Sequence, residues 1–351
     1  MLLALCSLPH APKKILPLKI NFSPMKKNIA IITGGDSSEV VISLKSAEQV
    51  RSCLDHEKYH IYIVLIKNSD WQVKLDDGHQ APVNRHDFSF QNRGDNIKFD
   101  YAFFAMHGPP GENGKLQAYC DLLNIPYNTS GVLPLAMTFN KFVCKSFLSN
   151  CGIKTAAAVL LKKHERFQTE EIISKTGLPC FVKPNSSGSS FGVSLVHDTG
   201  ELNMAIEMAL KEDAEVIIEE YIKGIELTCG LVKLKDKELV FPVTEVVSKK
   251  EFFDYEAKYT AGLSEEITPA HISQEISSKC QSISSRIYDL LNCRGIVRID
   301  FICRDGEFYF LELNGIPGMT KESIVPRQIK AYGLTEAAVY EMIIQETAGW
   351  D

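Results

Sequence analysis

The sequence predicts an α/β chain of three domains that opens on a layer built around a parallel sheet. Three observations carry this. Short apolar runs alternate with amphipathic stretches at the start of the chain, as in strand–helix–strand units. The apolar runs end in glycine-containing loops, the position where such sheets bind ligands. A length of 351 residues suits two or three domains.

Residues 28–33 read as the first strand, ending at Gly34-Gly35. Helical spacing over 40–54 follows, then strands at 59–66 and 99–106, the last ending at His107-Gly108. Residues 140–151 read as a helix closed by Gly152. A second unit combines a helix near 170–175, strands at 180–184, 192–196 and 215–220, and a helix over 201–210. The remainder reads as strands at 228–234, 238–247, 295–303 and 308–314, with helices at 273–291 and 334–347. Domain cuts are expected near Thr129 and Glu219, giving units 25–129, 130–219 and 220–351. Residues 1–24 read as an extension, either a disordered tail or a start assigned too early. Met25-Lys26-Lys27 resembles a natural start running into a strand.

Composition narrows the function. A net charge of -6 argues against nucleic acid or an acidic membrane surface as the main partner. No apolar stretch reaches membrane length, and the short run Met1–Cys6 lacks the basic flank of a signal peptide. Ten cysteines are scattered without a CxxC pair, which speaks against zinc and for small buried side chains in a reducing compartment.

The strongest chemical signal is the hairpin Arg298-Ile299-Asp300 … Leu311-Glu312-Leu313-Asn314. A three-residue loop, Arg304-Asp305-Gly306, would close it with Arg298 opposite Glu312. Strand alternation then places Arg298, Asp300, Glu312 and Asn314 on one face. Two carboxylates and an amide oxygen suit magnesium or manganese completed by phosphate oxygens; a solvated polar face of an edge hairpin is the plainer alternative. Pro317-Gly318-Met319-Thr320 follows, with Ser323 close behind; Gly318 would let a backbone N–H approach a substrate oxygen.

Residues 181–192, Phe-Val-Lys-Pro-Asn-Ser-Ser-Gly-Ser-Ser-Phe-Gly, form a strand, a lysine and a flexible loop able to wrap phosphates, with Lys183 adding a point charge. Residues 217–226 run from an apolar strand into acidic groups, where Glu226 suits ribose hydroxyls. The aromatic and charged segment 252–259 suits a lid that excludes water.

In this order and spacing, from Met25 to about Glu346, these segments resemble the D-alanine–D-alanine ligases of the ATP-grasp superfamily. The resemblance implies a three-domain ATP-grasp architecture whose first domain is Rossmann-like. It implies a cytoplasmic enzyme, expected as a homodimer, with D-alanine and ATP as substrates and two Mg2+ or Mn2+ ions as cofactors. By position, Glu39 matches the ligand of the first D-alanine's amino group, and His107 the histidine near the reacting carboxylate. Lys141 and Lys183 match the phosphate lysines; Glu219, Tyr221, Ile222 and Glu226 match the adenine and ribose contacts. Ser189 and Tyr259 match the pair that closes the site with the glutamate, Ser190 lies beside them in the nucleotide loop, and Phe252 and Lys258 match lid residues. Asp300, Glu312 and Asn314 match the metal ligands, Arg298 and Gly318 the oxyanion donors, and Ser323 and Ile324 the contacts to the second substrate's carboxylate. Asn113 stands where the family usually has Asp, but every metal ligand and phosphate lysine is kept. D-alanine–D-lactate or D-alanine–D-serine ligation, and a nucleotide-binding relic without catalysis, are the alternatives.

Overall fold

The computed structural model describes residues 26–36, 39–188, 191–248 and 264–350. The first sheet has seven strands. Lys27–Gly34 (β1) is parallel to Tyr59–Lys67 (β2) on one side and Tyr101–Phe104 (β7) on the other. β1 is buried on both faces for most of its length, as a central parallel strand must be, and its sequence is an unbroken apolar run for that reason. Beyond β2 the sheet continues as an antiparallel meander: Asp70–Lys74 (β3), Gln80–Asn84 (β4), Ser89–Asn92 (β5) and Asp95–Lys98 (β6). The sequence reading had no strands there, and its third strand is shorter than expected.

Val40–Cys53 (α1) buries Ser43, Ser46, Ala47 and Val50, a helical stripe against the first sheet. Lys115–Leu122 (α2) and Val132–Phe139 (α3) lead to Lys141–Asn150 (α4). Asn140 caps α4 by accepting from the Val143 N–H, and Gly152 leaves it with φ of 79°.

The second sheet is antiparallel: Ser194–Val196 (β10), Cys180–Pro184 (β9), Glu215–Glu220 (β11) and Ala158–Lys162 (β8), in that order across it. Thr169–Thr176 (α5) and Thr199–Glu212 (α6) pack on it and share its apolar core. The third sheet runs Ser264–Ile267 (β15), Thr244–Ser248 (β14), Ile225–Leu234 (β12), Val297–Arg304 (β16) and Glu307–Asn314 (β17), with Lys237–Val240 (β13) also paired to β12. The single strand expected over 238–247 is divided into β13 and β14 at Pro242, which has no N–H for the ladder.

Gln274–Leu290 (α7) is capped by Ser273 and packs on the third sheet. Ile324–Ala331 (α8) and Glu336–Ala348 (α9) end the chain. α9 returns to the first sheet: Val339, Tyr340, Ile343 and Ile344 join its core, and the Tyr101 hydroxyl meets Thr347 Oγ1 at 2.6 Å. No helix among the described residues is long and apolar enough to cross a membrane.

Candidate active site

The β16–β17 hairpin closes through Asp305 and Gly306, both at positive φ (53° and 75°), between the paired residues Arg304 and Glu307. This is a two-residue turn, not the three-residue loop expected from the sequence. Continued without interruption, that register would set Leu311 opposite Asp300 and Leu313 opposite Arg298. A bulge instead shifts the pairing between Phe301↔Phe310 and Asp300↔Glu312, so Leu311 becomes the extra residue. Arg298 therefore faces Asn314 and not Glu312, which corrects the sequence expectation. The bulge also restores the shared polar face: Phe308 and Phe310 before it and Leu313 after it all enter the core, while Glu312 and Asn314 join Arg298 and Asp300.

On that face the Arg298 guanidinium donates from Nε to Asp300 Oδ1 at 2.9 Å and from Nη2 to Asp300 Oδ2 at 2.7 Å. The Asn314 amide donates to Asp300 Oδ2 at 3.0 Å and to Glu312 Oε1 at 3.5 Å. Burial opposes the Arg298 cation, but Asp300 and Glu312 outweigh it and hold the guanidinium more firmly protonated than usual. Such a two-point pair fixes the guanidinium plane as well as its charge. The donor set fits a hard divalent cation: two carboxylates stand beside an amide whose oxygen is reached by a simple flip. Among the described residues, no group of three or more His, Cys, Asp and Glu side chains is placed to hold a metal, so Asn314 is needed to complete the set.

The lysines form the second cluster. Lys183 Nζ pairs with Glu219 Oε2 at 2.5 Å, and Lys145 Nζ pairs with Glu219 Oε1. Burial alone would raise the Glu219 carboxyl, but the two ammonium groups outweigh it and hold it at about 2. Burial lowers the Lys145 ammonium to about 8 against the pull of Glu219, so the pair is ionised at neutral pH. Lys141 Nζ donates to the Ser187 carbonyl at 2.5 Å, and burial draws it below its usual value despite Glu312 and Glu219 nearby. Lys141 thus joins the lysine cluster electrostatically to the hairpin.

The opening loop meets the Gly/Ser loop directly. A Cβ on Gly188 would stand 2.6 Å from Glu39 Oε2, so glycine is what lets the two loops close up. His107 is buried, with Nδ1 3.0 Å from the Ile316 carbonyl and Nε2 3.1 Å from Ser46 Oγ. The carbonyl can only accept, so Nδ1 carries a proton and Nε2 faces the Ser46 hydroxyl. Ser46 Oγ in turn accepts from Met319 N–H at 3.4 Å, tying α1 to the loop after the hairpin. Glu112 accepts from the Gly108 N–H at 2.8 Å; burial, then the Glu39 carboxylate, push its carboxyl up to about 8.

Gly318 packs against Ser323, where a Cβ would stand 2.8 Å from the hydroxyl. Ser323 is the N-cap of α8 but makes no side-chain cap bond; its hydroxyl meets Thr320 Oγ1 at 2.7 Å. Ile324 opens the helix, so backbone donors gather where an anion is favoured. Tyr221 lies 5.7 Å from the Phe181 ring, Ile222 is buried, and Glu226 sits near the start of β12 opposite Ile302. Ser189, Ser190, Phe252, Lys258 and Tyr259 lie outside the described residues. Two residues of these clusters were not singled out from the sequence: Lys145 and Ser46. Lys145 had a usable signal, four residues after Lys141 on the same helix face.

Three sheets, with a lysine-bearing strand and loop in the second and an acidic hairpin in the third, define an ATP-grasp ligase. Residues 28–130 match the family model for the D-Ala D-Ala ligase N-terminus, and residues 147–345 match that for its C-terminus. The D-alanine–D-alanine ligase of Phocaeicola vulgatus is 50% identical over 322 residues, 92% of this chain and 99% of the relative. That of Bacteroides fragilis strain ATCC 25285 is 48% identical over the same shares. Among solved structures, a D-Ala:D-Ser ligase from Enterococcus faecalis has a TM-score of 0.81 at 34% identity, covering 91% of this chain and 98% of its own. The D-alanine–D-alanine ligase of Bacillus anthracis complexed with ATP has a TM-score of 0.72 at 30% identity, covering 91% and 97%. The chain belongs to the D-alanine–D-alanine ligase family and is a ligase enzyme.

Proposed function

We propose that the enzyme joins two D-alanines into D-alanyl-D-alanine in the cytoplasm, consuming ATP and releasing ADP and phosphate, to supply peptidoglycan synthesis. The observation that carries the reading is the joining of two oppositely biased clusters in one site: Arg298–Asp300–Glu312–Asn314 beside Lys141, Lys183 and Glu219. A carboxylate is a poor electrophile until one oxygen is converted to a leaving group. The first D-alanine carboxylate attacks the γ-phosphorus of ATP, ADP leaves, and an acyl phosphate forms. The amine of the second D-alanine attacks the acyl carbon, a proton is lost, and phosphate departs with one carboxylate oxygen.

Each cluster has a part in this. Lys141 and Lys183 meet phosphate charge. Glu39, which lies against Gly188, receives the first amino group. Arg298 and the Gly318 N–H receive the oxyanion, a kind of stabilisation worth about 3 kcal/mol per donor. Ser323 and Ile324 at the start of α8 receive the second carboxylate. Asp300, Glu312 and Asn314 would hold Mg2+ or Mn2+, which supplies charge neutralisation on the phosphates.

The test is phosphate release from ATP and magnesium with D-alanine, compared with L-alanine and with D-alanine plus D-lactate or D-serine. Release with D-alanine alone and a dipeptide mass is the expected result. A mixed product preferred over the dipeptide would move the chain to D-lactate or D-serine ligation. Silence with every pair, alongside measurable ATP binding, would leave a nucleotide-binding relic.

A further inference from the structure

The ATP reading uses two lysines, but the structure buries a third beside them. Lys141 and Lys145 sit four residues apart on α4, on the same helix face. The Lys145 charge is taken out of water, and the neighbouring Lys183 cation opposes it. The Lys145 side chain is 4% exposed, and among the described residues its ammonium pairs with one charged group, Glu219. Beyond that ion pair it has no hydrogen-bond partner among the described residues. A lysine kept there at such cost calls for a specific task.

The arrangement around Glu219 indicates the task. The carboxylate is 3% exposed and lies between two ammonium groups, Lys145 on Oε1 and Lys183 on Oε2. Lys183 sits on β9 next to the Gly/Ser loop, so a phosphate held by that loop would compete with Glu219 for its ammonium. Leaving a buried carboxylate with no partner is expensive. With Lys145 in place, Glu219 stays neutralised when Lys183 turns away.

We propose that Lys145 is a positioning residue: the resident counter-ion of Glu219, which frees Lys183 to bind a nucleotide phosphate. The proposal rests on the ATP reading above. Lys145 itself need not touch the nucleotide. Without it, Lys183 would be the one ion-pair partner left to Glu219 among the described residues, and ATP would compete with that pair.

The experiment measures ATP dissociation and steady-state kinetics for the wild type, Lys145→Met, Lys145→Arg, Glu219→Gln and the double variant Lys145→Met/Glu219→Gln, with thermal midpoints as a folding check. Lys145→Met should weaken ATP binding about tenfold or more, with kcat within about threefold. Lys145→Arg should restore most of the affinity. In the Glu219→Gln background, where no carboxylate competes for Lys183, removal of Lys145 should add little. Unchanged ATP affinity in Lys145→Met overturns the proposal. So does a loss that Lys145→Arg fails to restore and Glu219→Gln fails to suppress, since that marks mere packing. Failure of the wild type to bind ATP would instead sink the reading on which the proposal stands.

Discussion

The two clusters of the site are built from the same side-chain types in opposite proportion. On α4, β9 and β11, two lysines pair with one carboxylate, Glu219, and a third, Lys141, feels its charge. On β16 and β17, two carboxylates and an amide share a face with one guanidinium, Arg298, which pairs with Asp300. Each keeps one ion of the minority sign, and that ion sets the geometry of the rest. Glu219 gathers Lys145 and Lys183; Arg298 orients Asp300 through two parallel bonds. The excess charge left over then suits different guests, phosphates at the first cluster and divalent cations at the second. The difference teaches that a buried ion pair in this site serves less as a stability element than as a template for an opposite charge yet to arrive.

Removing a minority ion is the harshest way to break this symmetry. Arg298→Ala should cut kcat by at least about a hundredfold through loss of an oxyanion donor. It should also lower stability by about 3–5 kcal/mol, because Asp300 is left buried without its counter-ion. Near-normal turnover would remove Arg298 from the chemistry. Removing a majority ion should act on the guest instead. Asp300→Asn should raise the magnesium concentration for half-maximal rate about tenfold or more, read from metal titrations at saturating ATP; an unaltered titration would place the cation elsewhere.

The contact between the two loops offers a finer probe. Gly188→Ala puts a methyl group where the Glu39 carboxylate lies, so the KM for D-alanine should rise on the order of tenfold while ATP affinity holds. An unchanged KM would mean that Glu39 does not grip the substrate from this position. The smallest effect concerns pH. Glu112 is raised from 4.5 to about 8, so the folded protein holds its proton to higher pH than the unfolded chain does. Its contribution to stability is complete below pH 4.5 and is lost as pH rises through 8. Glu219 has the opposite sign: lowered from 4.5 to about 2, it stabilises above pH 4.5 and loses that contribution as pH falls toward 2. Denaturant midpoints across pH should show Glu112→Gln flattening the alkaline slope and Glu219→Gln the acid one.

Much of this was legible in the sequence, and the failures have definite causes. The polar face of the hairpin followed from alternation of charged and apolar residues, and the structure keeps it. Its register did not follow, because the bulge at Leu311 answers to the sheet and not to the local turn. A two-residue turn and a one-residue bulge together change the partner of Arg298 but leave its face intact. α3 and α8 share a feature that argues against a helix in sequence alone: Pro134 and Pro326 fall inside them, yet each sits in the first turn, where its missing N–H costs nothing. The β3–β6 meander was missed because its strands are only four or five residues long, too short for a clear alternation. Lys145 follows Lys141 by one helical turn, but it is the fold, by placing Glu219 over that face, that makes it part of the site.

The most direct test of the account follows an oxygen atom. D-alanine labelled with 18O in its carboxylate should pass one label to the released phosphate for each dipeptide formed, because an acyl phosphate must give up phosphate with a carboxylate oxygen attached. Mass analysis of the phosphate reads this without any assumption about which residues act. Label in the phosphate at one atom per turnover is the predicted result. Unlabelled phosphate accompanied by dipeptide would contradict the activation step on which the reading of both clusters depends.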